Sequence, residues 1–458
     1  MLLLADTATT RQREAAFSEA DLMHRAAEAI WRCVMQHWPD ALRILVVAGA
    51  GNNGEDGRLL ARIAQDSGRA VTLVNIATQS GDTPALPEVD LIIDALTGIG
   101  LRGAPRAELL PWIEAINRSR APVLSVDVPS GVNADTGHVA HTAVRASMTL
   151  QLLDRHQGLY TGDAKDHTGV LEFAPLVETG ADRASVKSAD VADARAALPE
   201  RRQNSHKGLF GHVCVVGGNL GMAGAGLITA TAALRAGAGK VTWATRHENA
   251  LQAWTVCPEV MTADLDSDNG LSDALRAADI VAVGPGLGQD ASAQQWFEAV
   301  LRRAVPTVLD ADALNLLAQA PVQLHAGCVL TPHPLEAARL LGCEVGDVQR
   351  DRYAAARAIA GRYGAVCILK GAGSVVSAPD GQVCVVAGGN PGMSVAGMGD
   401  ALTGVVAALL AQLPDAFEAA WAAACFHAAA GDRISETRGT RGLLARDLID
   451  RLPEIMKA

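Results

Sequence analysis

The sequence predicts an α/β protein of two domains, and three observations carry that prediction. Short apolar runs such as RILVVA at 43–48 and IVAV at 280–283 alternate with longer segments of helical periodicity. Runs without polar alternation are buried on both faces, which suits parallel sheets covered by helices. A chain of 458 residues also exceeds one ordinary core, because domains usually span roughly 100–200 residues. Between Glu178 and Arg202 the strand character fades into a stretch rich in Ala, Asp and Arg, and it returns after the polar RRQNSHKG. The boundary is therefore expected near 195–205, giving domains over 1–200 and 201–458.

In the first domain the order is a helix from Ser18 to His37, a strand over Arg43–Ala48, a Gly-rich turn, and a helix from Asp56 to Gln65. Strands at Ala70–Ile76, Val89–Ala95 and Pro122–Val126 follow. The second domain reads as strands at Val213–Gly217, Val241–Ala244, Ile280–Val283, Val305–Asp310 and Val329–Leu330, with a small-residue helix at Ala225–Ala236. Ala-rich helices at 400–413 and 416–432 and a shorter one at 443–451 close the chain, and the halves share no repeat.

Composition narrows the function classes. With 49% hydrophobic and 19% charged residues the chain has none of the signature of disorder. A net charge of −11 without a dense Lys/Arg tract disfavours nucleic acid as a partner. Eight cysteines, with no CxxC pair and no histidine at zinc-finger spacing, read as small buried hydrophobes of a reducing compartment. The N-terminus lacks the basic start and apolar run of a signal peptide, and the apolar stretch Val405–Leu413 is too short to cross a bilayer. A cytoplasmic enzyme without membrane contact is expected, as a homo-oligomer.

The chemistry-bearing motifs sit where strands hand over to helices. In NPGMSVAGMGDALTGVV, Gly397, Gly399 and Asp400 open an apolar helix, whose free N–H groups and positive dipole end trap anions. Asp400 there is either a helix N-cap or a base taking a proton from a hydroxyl during phosphoryl transfer. In the first domain AGAGNNGEDG follows a strand and opens a helix, so its amides can accept phosphate. DALTGIGLRGAPR at 94–106 and SVDVPSGVNADTG at 125–137 add two acid-bearing loops, and loops after successive strands meet at one sheet edge.

Further segments give these motifs a family. HKGLFGHVCVVGGNLGMAGA at 206–225, VGPGLGQ at 283–289, VLDADALN at 308–315, TPHPLEAARLLG at 331–342 and LKGAGSVV at 369–376, with the GMGD loop, resemble the ADP- or ATP-dependent NAD(P)H-hydrate dehydratases. The resemblance implies a ribokinase-like α/β sandwich. It places Ala225, Gly286 and His333 against the hydrated dinucleotide, and Lys370, Gly371, Ala372, Gly373, Ser374 and Gly399 against ADP or ATP. Asp400 becomes the base and a substrate contact, with Mg2+ as the metal. Glu336 is either an acid that organises magnesium through water or a solvated helical glutamate, while Asp310 and Asp312 have no assigned role.

LMHRAAEAI at 22–30 and the three N-terminal loops resemble the NAD(P)H-hydrate epimerases, implying a Rossmann-like three-layer parallel sheet. Carried over, Asn52, Asn53, Gly54, Glu55 and Asp56, the run Gly98, Ile99, Gly100, Leu101, Arg102, Gly103 and Ala104, and Asp127 would hold the hydrated dinucleotide. Asn53, Asp94 and Ser130 would ligate potassium, as oxygen donors suit a hard cation, and Asp127 would be the acid/base residue. The chain departs from the family pattern at Glu55, Thr97, Ile99 and Met398. Glu55 stands at a glycine position where a positive φ is conceivable, and it adds charge beside a phosphate-bearing ligand. The competing reading is a ribokinase-like kinase for a small alcohol with a non-catalytic N-terminal binding domain.

Overall fold

A computed structural model describes residues 1–76, 85–177 and 186–457. They form two compact units, Leu2–Lys187 and Ser188 to the C-terminus, Met1 being grouped with the second. The division falls ahead of the expected 195–205, because the helix at Val191–Ala197 packs on the long helix Ala416–Arg438 of the second unit. Most of the linker read between Glu178 and Arg202 is described, but residues 178–185 lie outside the described residues.

In the first unit β1 (Leu2–Leu4), α1 (Thr7–Glu14) and α2 (Glu19–His37) precede β2 (Arg43–Ala48), α3 (Asn52–Asp66), β3 (Ala70–Asn75), β4 (Leu91–Ala95), α4 (Leu110–Arg118), β5 (Val123–Val126), β6 (Met148–Leu152) and β7 (Val170–Ala174). Strands β2 to β7 make an all-parallel sheet in the order β3-β2-β4-β5-β6-β7. Alternating side chains give it two covered faces. Ile44 and Val46 of β2 pack with Ala26 and Ile30 of α2 and Leu60 of α3. Leu45 and Val47 point the other way, onto Ile113 and Ile116 of α4. This is the expected three-layer arrangement.

The division falls within β8 (Val186–Ser188), and the second unit then runs α5 (Val191–Ala197), β9 (His212–Val216), α6 (Ala223–Arg235), β10 (Lys240–Thr245), α7 (Ala250–Val256), β11 (Met261–Asp264), α8 (Gly270–Ala277), β12 (Ile280–Val283), α9 (Ala291–Arg302), β13 (Thr307–Leu309), α10 (Ala311–Gln319) and β14 (Val329–Leu330). It continues α11 (Pro334–Leu341), α12 (Val345–Arg350), α13 (Arg352–Tyr363), β15 (Val366–Leu369), β16 (Ser374–Ser377), β17 (Val383–Val386), α14 (Met398–Leu410), α15 (Ala416–Arg438) and α16 (Ala445–Ile455). The sheet order is β17-β16-β15-β14-β13-β12-β9-β10-β11, parallel except where β16 pairs with β15 and β17. Val213, Val215, Val366 and Ile368 face a core shared with α6, α14, α15 and α16. Small residues let these helices close up: a Cβ on Gly404 of α14 would lie 2.2 Å from the Thr229 carbonyl oxygen of α6.

Six of the eight cysteines are buried as expected, but Cys257 is only half-buried and Cys343 is exposed. Among the described residues no helix is long and apolar enough to cross a membrane.

Candidate active site

The loops after β2, β4 and β5 meet at one edge of the first sheet and enclose a cavity of about 670 Å³. Asn52, Asn53, Asp56, Gly98, Ile99, Gly100 and Asp127 line it, together with Arg11 and Glu14 of α1 and Leu22 and Met23 of α2. Gly54, Glu55, Leu101, Arg102, Gly103 and Ala104 are outside that lining. Gly54 instead lets α3 approach β2's turn, since a Cβ there would lie 2.0 Å from the Gly49 carbonyl oxygen. Arg102 reaches Asp135 at 3.2 Å.

The helix α3 starts at Asn52, not at Asp56 as the sequence suggested, so the asparagines occupy a helical first turn rather than a loop. Glu55 is part of that turn and is not among the positive-φ residues. Its carboxylate accepts from the Arg58 guanidinium at 2.7 Å, which offsets the added charge. The concern about a glycine-only conformation at Glu55 is thereby removed. Thr97 contributes its backbone carbonyl, which accepts from Asn53 Nδ2 at 2.8 Å, a contact any residue could make.

Beneath the loops Asp94 is fully buried. It accepts from the Ser130 hydroxyl at 2.6 Å, the Ser125 hydroxyl at 2.8 Å and the Ser130 amide at 2.9 Å. Burial nevertheless leaves its pKa raised. Asn53 Oδ1 is buried without a hydrogen-bond partner among the described residues. Asn53, Thr97, Ser130 and Asp94 are linked in one chain of contacts, since the Thr97 amide donates to the Ser130 hydroxyl at 2.9 Å.

Asp127 has φ of 66°, a strained value for a residue with a side chain, directly after β5. Its Oδ1 accepts from the Leu152 amide at 3.1 Å and pairs with His156 Nε2 at 2.6 Å. Asp56 shares the cavity. Burial, with the charges of Asp127, Glu14 and Glu55, pushes its carboxyl up to about 8, so at neutral pH it is a donor. The buried His156 did not stand out in the sequence. Reading MTLQL as the strand β6 would have brought its following loop to the same sheet edge.

In the second unit, Asp400 is the third residue of α14 and the N-cap is Gly397, whose φ of 93° needs a glycine. The N-cap alternative for Asp400 is thus excluded. Behind this helix start lies a buried charge cluster. Lys370 Nζ donates to Asp310 Oδ1 at 2.7 Å, and Asp310 Oδ2 accepts from the Thr403 hydroxyl at 2.9 Å. Glu336 Oε2 lies 3.9 Å from the same ammonium. A Cβ on Gly399 would sit 3.2 Å from Lys370 Nζ, so the helix start rests directly on that cation.

The cluster tunes its members. Burial and the charge of Asp310 raise Asp400 to about 6, although Lys370 opposes them. Burial lifts Glu336 to about 7. For Asp310 burial also acts upward, but the Lys370 charge and hydrogen bonds outweigh it and hold the pKa down.

The remaining predicted residues surround this cluster or its sheet edge. Gly286 has φ of 61°, and a Cβ on it would lie 3.3 Å from the Ala225 Cβ, so these two positions are in contact. Asp312 holds that turn, accepting from the Gly288 amide at 2.9 Å. His333 caps α11, its Nδ1 accepting from the Leu335 and Glu336 amides at 3.2 and 3.3 Å. Glu336 completes the box by accepting from the His333 amide at 2.8 Å, so it is a buried structural carboxylate rather than a solvated one. The Ser374 hydroxyl donates to the Gly371 carbonyl at 3.3 Å, and Ala372 and Gly373 lie between them. Sequence reading missed Arg352, fully buried, which donates to the Leu369 and Lys370 carbonyls at 3.1 Å each. An arginine opening a helix gives no signal of that role.

A parallel sheet ending in an antiparallel pair, with a carboxylate offered from a glycine-rich helix start, defines the second unit as a ribokinase-like enzyme fold. An Enterococcus faecalis ribokinase-like superfamily protein is 28% identical, with a TM-score of 0.56 over 61% of this chain and 98% of that one. The ADP/ATP-dependent NAD(P)H-hydrate dehydratase of Bacillus subtilis, co-crystallized with ATP/Mg2+, is 32% identical, with a TM-score of 0.54 over 59% of this chain and 97% of that one. Residues 213–454 match the family described as NAD(P)H-hydrate dehydratase, and residues 19–86 and 74–158 match the YjeF-related protein N-terminus. The Bifunctional NAD(P)H-hydrate repair enzyme Nnr of Escherichia coli is 40% identical over 99% of this chain and 93% of its own length. That of Coxiella burnetii is 40% identical over 96% and 95%. The chain belongs to the bifunctional NAD(P)H-hydrate repair enzyme family.

Proposed function

We infer that the chain returns hydrated NADH and NADPH to their active forms. The first unit interconverts the R and S hydrates, and the second dehydrates the S hydrate with ADP or ATP as phosphoryl donor. The observation that carries this reading is Asp400, a partly shielded carboxylate with a pKa near 6, placed at an anion-trapping helix start backed by Lys370. Relatedness over both units supports the same reading and does not favour a small-alcohol kinase.

In the second unit Asp400 takes the proton of the C6 hydroxyl as its oxygen bonds to the terminal phosphorus of the nucleotide. The N–H groups at Gly399 and Lys370 offset charge on the transferred group. The ring nitrogen lone pair then forms the C6=N1 bond and the C–O pair leaves with phosphate. Loss of a C5 proton restores the dihydronicotinamide. Gly371 to Ser374 cradle the nucleotide, while Ala225, Gly286 and His333 face the dinucleotide. Among the described residues no group of three or more His, Cys, Asp or Glu could hold a metal. That fits Mg2+ arriving on nucleotide phosphates, where it keeps its waters and needs few protein ligands, and it would offset phosphoryl charge. Glu336, beside Lys370, would be the carboxylate that orders its waters.

In the first unit Asp127 takes the C6 hydroxyl proton. The O–H pair forms a carbonyl, the C6–N1 bond breaks, and its electrons pass to N1, conjugated with the C3 carboxamide. Rotation and reclosure on the other face return the proton and give the other epimer. The unpartnered Asn53 Oδ1, with Asp94 and Ser130, fits a potassium ion, which would satisfy that oxygen and offset a buried carboxylate. It would brace the loops that hold the dinucleotide. Free cysteines support the cytoplasm as the compartment.

The test mixes the protein with hydrated NADH and either nucleotide and follows absorbance in the reduced-nicotinamide band. Growth of that band is expected, and a flat trace with both nucleotides overturns the dehydratase reading.

A further inference from the structure

In the first unit's cavity, the proposed acid/base residue is held by a neighbour outside the three loops singled out in the sequence. His156 is completely buried in the loop after β6, and its Nε2 lies 2.6 Å from Asp127 Oδ1. The same Oδ1 also accepts from the Leu152 amide at 3.1 Å, so both contacts load one oxygen. Oδ2 is left for the cavity that Asp127 lines. The His156 backbone is fixed in turn, its amide donating to Gln151 Oε1 at 2.9 Å, while Gln151 Nε2 donates to the Tyr160 hydroxyl at 3.2 Å. Asp127 is held at a positive φ that the chain would not adopt unaided.

We propose that His156 is a positioning residue for epimerisation, which clamps Asp127 through Oδ1 and presents Oδ2 to the C6 hydroxyl of the hydrated nicotinamide. This inference rests on the epimerase reading of the cavity. The imidazole is not a relay. Among the described residues its buried Nδ1 has no hydrogen-bond partner, so no side chain there takes a proton on from Nε2. The proton removed from the hydroxyl therefore stays on Asp127 until reclosure returns it, and His156 acts by geometry and charge.

The charged groups around the pair favour that role. Glu14 faces it from α1, beside Arg11 in the same cavity lining, Asp56 from α3, and Asp154, itself paired with Arg13, and Asp135 from the flanking loops. Burial works against a charged imidazole, but the Asp127 charge and hydrogen bond, aided by Asp154 and Asp135, outweigh it and raise the pKa of His156. A charged donor on one carboxylate oxygen makes a strong hydrogen bond, which holds the Asp127 carboxylate in place beside Glu14.

The experiment uses the full-length protein with His156→Gln, which keeps a side-chain N–H donor of similar reach but carries no charge, and His156→Ala. Epimerisation is read from the R hydrate alone. Dehydration of the S hydrate and the thermal unfolding midpoint are measured on the same samples. The expected result is a kcat for epimerisation lowered at least about tenfold in His156→Gln and about a hundredfold in His156→Ala, a loss in keeping with misplacing an acid/base group. KM for the R hydrate and the dehydration rate stay as in the wild type. The loss falls on kcat alone and is smaller in His156→Gln than in His156→Ala, because glutamine still offers an N–H to Asp127 Oδ1. A wild-type rate in both variants overturns the inference. So does a loss of equal size in both variants matched by a fallen unfolding midpoint, which marks a purely structural histidine. A wild-type chain that leaves the R hydrate unconverted overturns the epimerase reading itself and this inference with it.

Discussion

Asp400 and Asp127 are assigned the same task, removal of a hydroxyl proton, yet one is paired with a lysine cluster and the other with a buried histidine. Asp400 stands among Asp310 and Lys370, and burial with the Asp310 charge brings it to about 6. A base must be ionised, so kcat/KM for dehydration is expected to fall as pH drops through about 6 and to be flat above it, which a profile on the S hydrate with saturating nucleotide would show. Asp400→Asn is expected to lower that rate about 10²- to 10⁴-fold while epimerisation of the R hydrate continues. Lys370→Met removes the cation that Asp310 and Glu336 share. An uncompensated buried carboxylate remains, so a loss of about 3–5 kcal/mol in denaturant unfolding is expected. The acidic limb of dehydration should also rise, since Lys370 acts to lower the pKa of Asp400.

Helix α14 shows why side-chain placement follows from the backbone around it. Its buried stretch runs from Ala401 to Leu410, and Gly404 meets α6 where a Cβ would strike the Thr229 carbonyl at 2.2 Å. Gly404→Ala is expected to lower stability by about 1–3 kcal/mol through overpacking. It should also depress dehydration more than epimerisation, measured by thermal unfolding and by the two rates. The legibility of the elements divides along the same physical line. The β2 strand and the α14 start were readable because an apolar run or a glycine pair speaks locally. Strands β6, β7, β16 and β17 were not, since MTLQL carries a threonine and a glutamine whose partners lie far along the chain. The placement of Asp400 at a helix start and of Asp127 at a strand end was legible from the motif around each. His156, Arg352 and Thr403 were not, because each matters only through a contact with a residue 29, 18 or 93 positions away. The reverse error was Glu55, whose expected strain vanishes in a helical first turn.

The molecule keeps its two chemistries in separate compact units, and every residue assigned to one reaction lies within one unit. The potassium donors Asn53, Asp94 and Ser130 belong to the first unit, away from the Asp310 and Lys370 cluster in sequence. Replacing potassium by a bulky organic cation at equal ionic strength is therefore expected to slow epimerisation and to leave dehydration of the S hydrate unchanged. Equal loss in both assays would refute the assigned donor set.

The closeness of α6 and α14 also bears on how the second site opens and shuts. Two helices separated by little more than their own backbones cannot slide or breathe without a clash, so Asp400 is mounted on an anvil rather than on a hinge. On the proposed reading, adjustment to the arriving ligands then falls to the strand-end turns, around Gly286 for the dinucleotide and around Gly371 for the nucleotide. The work of induced fit is thus expected to register as ordering of those turns around a base that stays where it is.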